Sequence, residues 1–213
     1  MATTDQQVLN EIQHHLIETA NNGASWVSGL WTVAELTGYL NQRQRRLVRE
    51  LALIYERDTL ALGADTATAT LDEDVIDLVF LWWKNNASGV YTPLQRADTH
   101  GQDTALSSWR STSATTPQTY NATELASLTL RVAPPSSAAG TLEFLYVGLT
   151  TALANTGVAF AVPDVCVSCI KWGVIADMLS KEGRGQDLIR AMLAESRYVE
   201  GREAIRLILD GWV

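Results

Sequence analysis

Between Leu128 and Leu179 the chain changes its hydrophobic period once, and Val162-Pro163-Asp164 marks the change. Before it, Leu128, Leu130 and Val132 alternate with Thr129, Arg131 and Ala133. After Pro134-Pro135 and Gly140, Leu142, Phe144 and Tyr146 alternate with Glu143, Leu145 and Val147. Period-two alternation on both sides of a Pro/Gly turn predicts a half-buried antiparallel pair. After Pro163 the spacing becomes helical, with Val165, Cys169, Trp172, Ala176 and Leu179 on one face. A β-unit set between helices follows from this, and no cluster of catalytic residues lies near it.

The N-terminal third is helical by the same reasoning. Thr4 or Asp5 caps a first helix with Val8, Leu9, Ile12, Leu16 and Ala20 on one face, closed by Asn21-Asn22-Gly23. Thr32 and Glu35 form a capping box for a second helix, with a stripe of Leu36, Leu40, Leu47, Leu51 and Ile54. That helix is expected to run to about Asp58. Thr68, Thr70, Val75 to Trp83 and Val90 to Thr92 read as extended, and Pro93 confines the last of these to an edge or an end. Residues 97–123 show little pattern, with Trp109 and Tyr120 as expected anchors. A last helix carries Leu188, Ile189, Met192, Leu193, Val199 and Leu207, and Gly183 and Gly185 make a tight hairpin with the helix before it.

The expected fold is therefore α+β: a four-helix core with an inserted small antiparallel β-subdomain. The expected division is 1–65 for the N-terminal helices of the core and 66–160 for the β-rich insert, with its long loop near 97–123. A C-terminal helical hairpin and apolar tail fill 161–213.

Charge and composition exclude several classes. A net charge of −8 opposes general affinity for phosphate backbones. It suits a protein that surrounds DNA without gripping it, because an acidic lining repels phosphate. No apolar run is long enough for a membrane-spanning helix. The start lacks the basic and apolar regions of a secretory signal. Seven tryptophans against three phenylalanines point to large half-buried contacts, which are common at interfaces.

Residues that could carry chemistry have simpler readings. Cys166-Val-Ser-Cys169 lacks the second ligand pair of a zinc site, and Cys169 lies on the apolar stripe, so buried thiols are expected. His14 and His15 point about 100° apart and cannot clamp one ion. Asp72, Glu73 and Asp74, with Asp77 nearby, form the densest acidic cluster, a solvated strand entry or part of an acidic lumen in an oligomer. On the second helix Arg45 and Arg49 fall opposite the apolar stripe, whereas Arg43 falls on it. An Arg there must snorkel, bridge to a carboxylate or face a neighbouring subunit. The end, Ile208-Leu209-Asp210-Gly211-Trp212-Val213, is apolar where chain ends are usually polar. It either folds back on its own bundle or docks in a partner's groove. No cofactor, no metal site and no nucleophile–base pair is indicated, so an enzyme is not expected.

The order of parts resembles the head-to-tail connector (adaptor) proteins of tailed bacteriophages. The resemblance rests on two N-terminal helices and a β-rich segment with Trp82-Trp83. Leu128 to Tyr146, the Val162-Pro163-Asp164 helix and a closing helix complete it. It implies a structural virion protein of the neck, a homo-oligomeric ring, usually a dodecamer, between portal protein and tail proteins. The genome would pass through its channel without sequence-specific binding, and no membrane would be involved. On this reading Ile208, Leu209, Trp212 and Val213 dock on the portal, Arg43, Arg45 and Arg49 make subunit contacts, and Asp72, Glu73 and Asp74 line an acidic channel. Other tail-completion or tail-tube proteins are the alternative, and a small metal protein or enzyme is a more distant one.

Overall fold

The computed structural model describes residues 2–16, 30–105, 108, 112–122 and 128–211. It divides into two compact units, one of 1–54 with 150–213 and one of 55–149.

The first unit is helical. Helix α1 (Asp5–His15) and helix α2 (Val33–Leu51) each begin in a reciprocal capping box. Thr4 Oγ1 accepts from Gln7 N at 3.3 Å, and Gln7 Oε1 accepts from Thr4 N at 2.9 Å. Thr32 and Glu35 repeat the arrangement. Helix α4 (Asp164–Ser180) opens after Pro163, and helix α5 (Leu188–Asp210) is capped by Asp187. Helices α1, α2 and α5 all pack on α4, so α4 is buried around most of its circumference and not along a single stripe. Val165, expected inside, is 58% exposed. Segment 150–160 is tied down at buried polar groups. Asp5 accepts from the backbone N–H groups of Thr156 and Gly157, and Asn41 bonds both the N–H and the C=O of Leu153.

Helix α2 stops earlier than expected. Ala52 takes a left-handed conformation (φ 48°) and ends it at Leu51. Tyr55–Leu62, whose first four residues the stripe assigned to the helix, is strand β1. Glu56 and Arg57 are good helix formers, but all eight positions pair with one partner strand, and that pairing outweighs local preference. The expected end of the first helix, Ala20 to Gly23, lies outside the described residues, as do Trp26 and Trp109.

The second unit is larger than a small insert. It holds two four-stranded sheets and a short helix, α3 (Thr99–Ala105), within the expected loop. The remaining strands are β2 (Thr68–Thr70), β3 (Val75–Asn85), β4 (Tyr91–Pro93), β5 (Gln95–Arg96), β6 (Thr119–Asn121), β7 (Thr129–Ala133) and β8 (Gly140–Gly148). One sheet runs β1-β8-β3-β4 and the other β2-β7-β6-β5.

The alternating segments around Pro134-Pro135 are both strands, but they do not form a hairpin. β7 pairs with β2 and β6, while β8 pairs with β1 and β3. Their apolar sides, Leu130 and Val132 against Leu142, Phe144 and Tyr146, meet in a core shared by the two sheets. Alternation reports a buried face; it does not say which strand lies alongside. Tyr120 is buried in that core, as an anchor should be, together with Trp83.

Candidate interaction surfaces

The bonding of Arg43 determines what α2 can present. Arg43 is 6% exposed, and its guanidinium sits between two carboxylates of the same chain. Nε and Nη2 donate to Asp177 at 2.6 Å each, and Nη1 and Nη2 donate to Glu195 at 3.2 and 2.8 Å. The Tyr198 ring lies 4.7 Å from the guanidinium carbon. Burial alone would lower the Arg43 pKa, but the bonds to Asp177 and Glu195 outweigh it and drive the pKa further up. Gly173 makes the room: a Cβ there would fall 2.8 Å from Arg43 Cδ and 2.9 Å from Tyr198 Cδ2. Of the three ways to keep an Arg on the core stripe, the internal carboxylate bridge is the one used. This corrects the expectation of Arg43 as a subunit contact, since its donors are spent inside the chain.

Arg45 and Arg49 point the other way. Both are exposed and neither has a carboxylate partner among the described residues. With Gly38, Asn41, Gln42, Arg46 and Glu50 they line an open groove of about 570 Å³ along the outer side of α2. Arg46 is held by Glu50 at 2.8 Å, and Glu50 also receives Arg202 of α5 at 3.2 Å.

Helix α5 turns most of its large apolar residues outward. Its buried residues are Ala191, Ala194, Tyr198 and Ile205. Ile189 is 84% exposed, Met192 74%, and Leu188 and Leu193 57% each. The small residues let α5 lie close on α4; a Cβ at Gly201 would come within 3.3 Å of Cys169 Cβ. The close fit leaves the large apolar side chains outward, an unusual distribution for a chain that works alone. The inner side is not uniformly small, since Tyr198 and Ile205 are buried there beside Ala191 and Ala194.

The C-terminal segment begins as helix. Ile208 and Leu209 occupy the last turn of α5, 50% and 39% exposed. Trp212 and Val213 lie outside the described residues. Ile208 and Leu209 are therefore part of the helix itself.

In the β-unit, Asp72 and Glu73 are exposed. Asp74 is half-buried, and its Oδ2 accepts from the Tyr146 hydroxyl at 3.0 Å, which also donates toward Glu56 Oε2 at 3.1 Å. Burial, then the two carboxylates, raise the Tyr146 pKa above that of an ordinary phenol. Asp74 thus serves packing as well as surface charge. Cys166 and Cys169 are buried free thiols, and burial lifts their pKa values to about 11 and about 12. Among the described residues no group of His, Cys, Asp or Glu could hold a metal ion, and no helix is long and apolar enough to cross a membrane.

A family model described as SU10 adaptor protein matches residues 3–210, nearly the whole chain and both units. The chain belongs to the SU10 adaptor protein family. No curated protein matches it. Among solved structures, one similar chain comes from a structure titled "Neck of empty GTA particle computed with C6 symmetry", at 18% identity and a TM-score of 0.29, covering 93% of this chain and 92% of that one. For an adaptor, the outward features are the relevant ones: the apolar side of α5, the basic side of α2 and the acidic entry to β3.

Proposed function

We propose that this SU10-family adaptor is a structural subunit of a homo-oligomeric ring between portal and tail, and that the ring extends the channel through which the genome passes. The family match over residues 3–210 carries this reading. The chain's chemistry supports it: buried thiols, an internally neutralised Arg43 and apolar surface turned outward are features of assembly and not of turnover. Subunits join the portal through the end of α5, with Ile208, Leu209, Trp212 and Val213 as the docking residues. Neighbours then associate, and repetition of modest contacts around a closed ring makes the whole stable. Asp72 and Glu73, with Asp74 behind them, give the channel an acidic wall on which DNA phosphates find no hold.

The test is co-sedimentation with the cognate portal ring, comparing the intact chain with one ending at Leu207. The expected result is that the intact chain joins the portal and the shortened one does not. Binding by both would discard the docking residues and keep the adaptor–portal contact. Binding by neither would overturn the proposed function.

A further inference from the structure

Two outward faces of the helical unit match one another in shape, charge and spacing, although they belong to one chain. The outer side of α2 is small at its start, where Ala34 and Gly38 are exposed and nothing lies within 4 Å of a Cβ built on Gly38. About two and three turns beyond Gly38 it is basic, through the exposed Arg45 and Arg49. The outer side of α5 is bulky at its start, where Ile189, Met192 and Leu193 are 84%, 74% and 57% exposed. Further on it is acidic, through the exposed Glu200 and Glu203.

The spacings coincide. Gly38 to Arg45 and Leu193 to Glu200 are each seven residues, about 10.5 Å along a helix axis. Gly38 to Arg49 and Met192 to Glu203 are each eleven, about 16.5 Å. With two such helices side by side and parallel, the Met192–Leu193 ridge enters the notch at Gly38. Glu200 and Glu203 then reach Arg45 and Arg49. Within one chain only the ends of the two helices approach, where Arg202 bridges Glu50 and Glu203, and no pairing of Arg45 or Arg49 with Glu200 or Glu203 forms.

We infer that α5 of one copy seats on the outer groove of α2 of the next copy, Met192 and Leu193 at Gly38 and the Glu200–Glu203 pair on Arg45 and Arg49. The contact joins two different faces, so it is head-to-tail and repeats from copy to copy, as a ring requires. It also covers the apolar ridge that no part of the described chain covers. The inference rests on the ring proposed above and specifies which surfaces build it. The carboxylates remain available. Glu203 accepts from its half-buried neighbour Arg202, which Glu50 also holds, and Glu200 accepts from the Ser196 hydroxyl. Arg45 and Arg49 have no partner among the described residues to give up.

The experiment mixes two full-length single variants, Gly38→Cys and Leu193→Cys, under mild oxidation. The native cysteines are buried, and neither variant can form this bridge alone. A covalent pair is expected at several times the yield obtained when Gly38→Cys is replaced by Ala87→Cys, on an exposed turn of the β-unit. A yield no higher than that control overturns the inference. Sedimentation of the wild-type chain over a wide concentration range separates the two levels. With the cognate portal ring present in both the cross-linking and the sedimentation, multimers without the cross-link would overturn this pairing of faces and leave the ring standing; no multimers and no cross-link would overturn both. As a second reading, Arg45→Glu with Arg49→Glu should weaken association roughly tenfold or more, and adding Glu200→Arg with Glu203→Arg in the same chain should restore it. Failure of the swap to restore association would also overturn the pairing.

Discussion

Arg43 and Asp177 stand 134 positions apart in the chain and are joined by two parallel hydrogen bonds of 2.6 Å. The fork geometry of guanidinium on carboxylate fixes α2 against α4 in both distance and rotation. Glu195 on α5 completes the group, so one buried cation ties three helices together.

Removal of Asp177 takes away both short bonds and leaves the buried Arg43 with Glu195 as its one carboxylate. Asp177→Ala should lower the unfolding free energy by roughly 3 kcal/mol, within the range for breaking a buried pair. Glu195→Gln should cost about 1 kcal/mol, since that side chain is 38% exposed and water can replace it. Urea unfolding of the two variants should rank them in that order. Equal midpoints would mean that the pair is not what holds the bundle.

Gly173 makes a separate prediction about the same cluster. A methyl group there meets the Arg43 stem and the Tyr198 ring at under 3 Å; Arg43 is held by its carboxylate bonds, and the Tyr198 ring is buried beneath the Arg43 guanidinium. Gly173→Ala should therefore destabilise by about 1–3 kcal/mol, although Ala is the better helix former by about 1 kcal/mol. Thermal unfolding checks the sign. A higher melting temperature would show that Arg43 and Tyr198 can yield.

The thiols predict a pH dependence. Cys166 and Cys169 have folded-state pKa values raised by burial to about 11 and about 12, against an unfolded value near 8.5. In the folded state they keep their protons where the unfolded chain has lost them. The stability they contribute is therefore present in full below about pH 8.5 and falls as pH rises toward 11 and 12. Urea midpoints at pH 8 and pH 10 should separate for the wild type by more than for Cys166→Ala with Cys169→Ala. An identical pH response in the two proteins would place the loss elsewhere.

The sequence was informative where structure is decided locally. Thr4 with Gln7 and Thr32 with Glu35 cap helices within one turn of themselves, and Val162-Pro163-Asp164 starts α4 where Pro at a helix start belongs. It was half-informative at Arg43. The position on the core stripe demanded a partner, but nothing local named Asp177. It misled where partners are distant. Leu128 to Val147 alternates as paired strands do, yet β7 and β8 face each other across a core and belong to different sheets. Tyr55 to Asp58 reads as the tail of a helix until its pairing with β8 is known. Arg45 and Arg49 were placed correctly because a helix has only two sides. The apolar residues of α5 were legible as a helix, but the sequence did not say which of them face inward: Ile189, Met192 and Leu193 are exposed. A rule that puts large apolar residues inside assumes that the chain is a complete unit, and α5 fits a chain that is not.

That orientation of α5 can be tested on stability alone. If Ile189 and Met192 face out, Ile189→Ser and Met192→Gln should each change the unfolding free energy by no more than about 0.5 kcal/mol when measured at dilution. Ala191 is 5% exposed, and Ala194 is 2% exposed. Ala194→Leu should cost about 1–3 kcal/mol, because added methylenes have no space between α5 and α4. A core helix of ordinary orientation predicts the reverse, with severe loss at Ile189 and tolerance at Ala194. The comparison needs only urea midpoints for the three variants. It decides whether the apolar ridge belongs to the fold of one copy or is surface left for another.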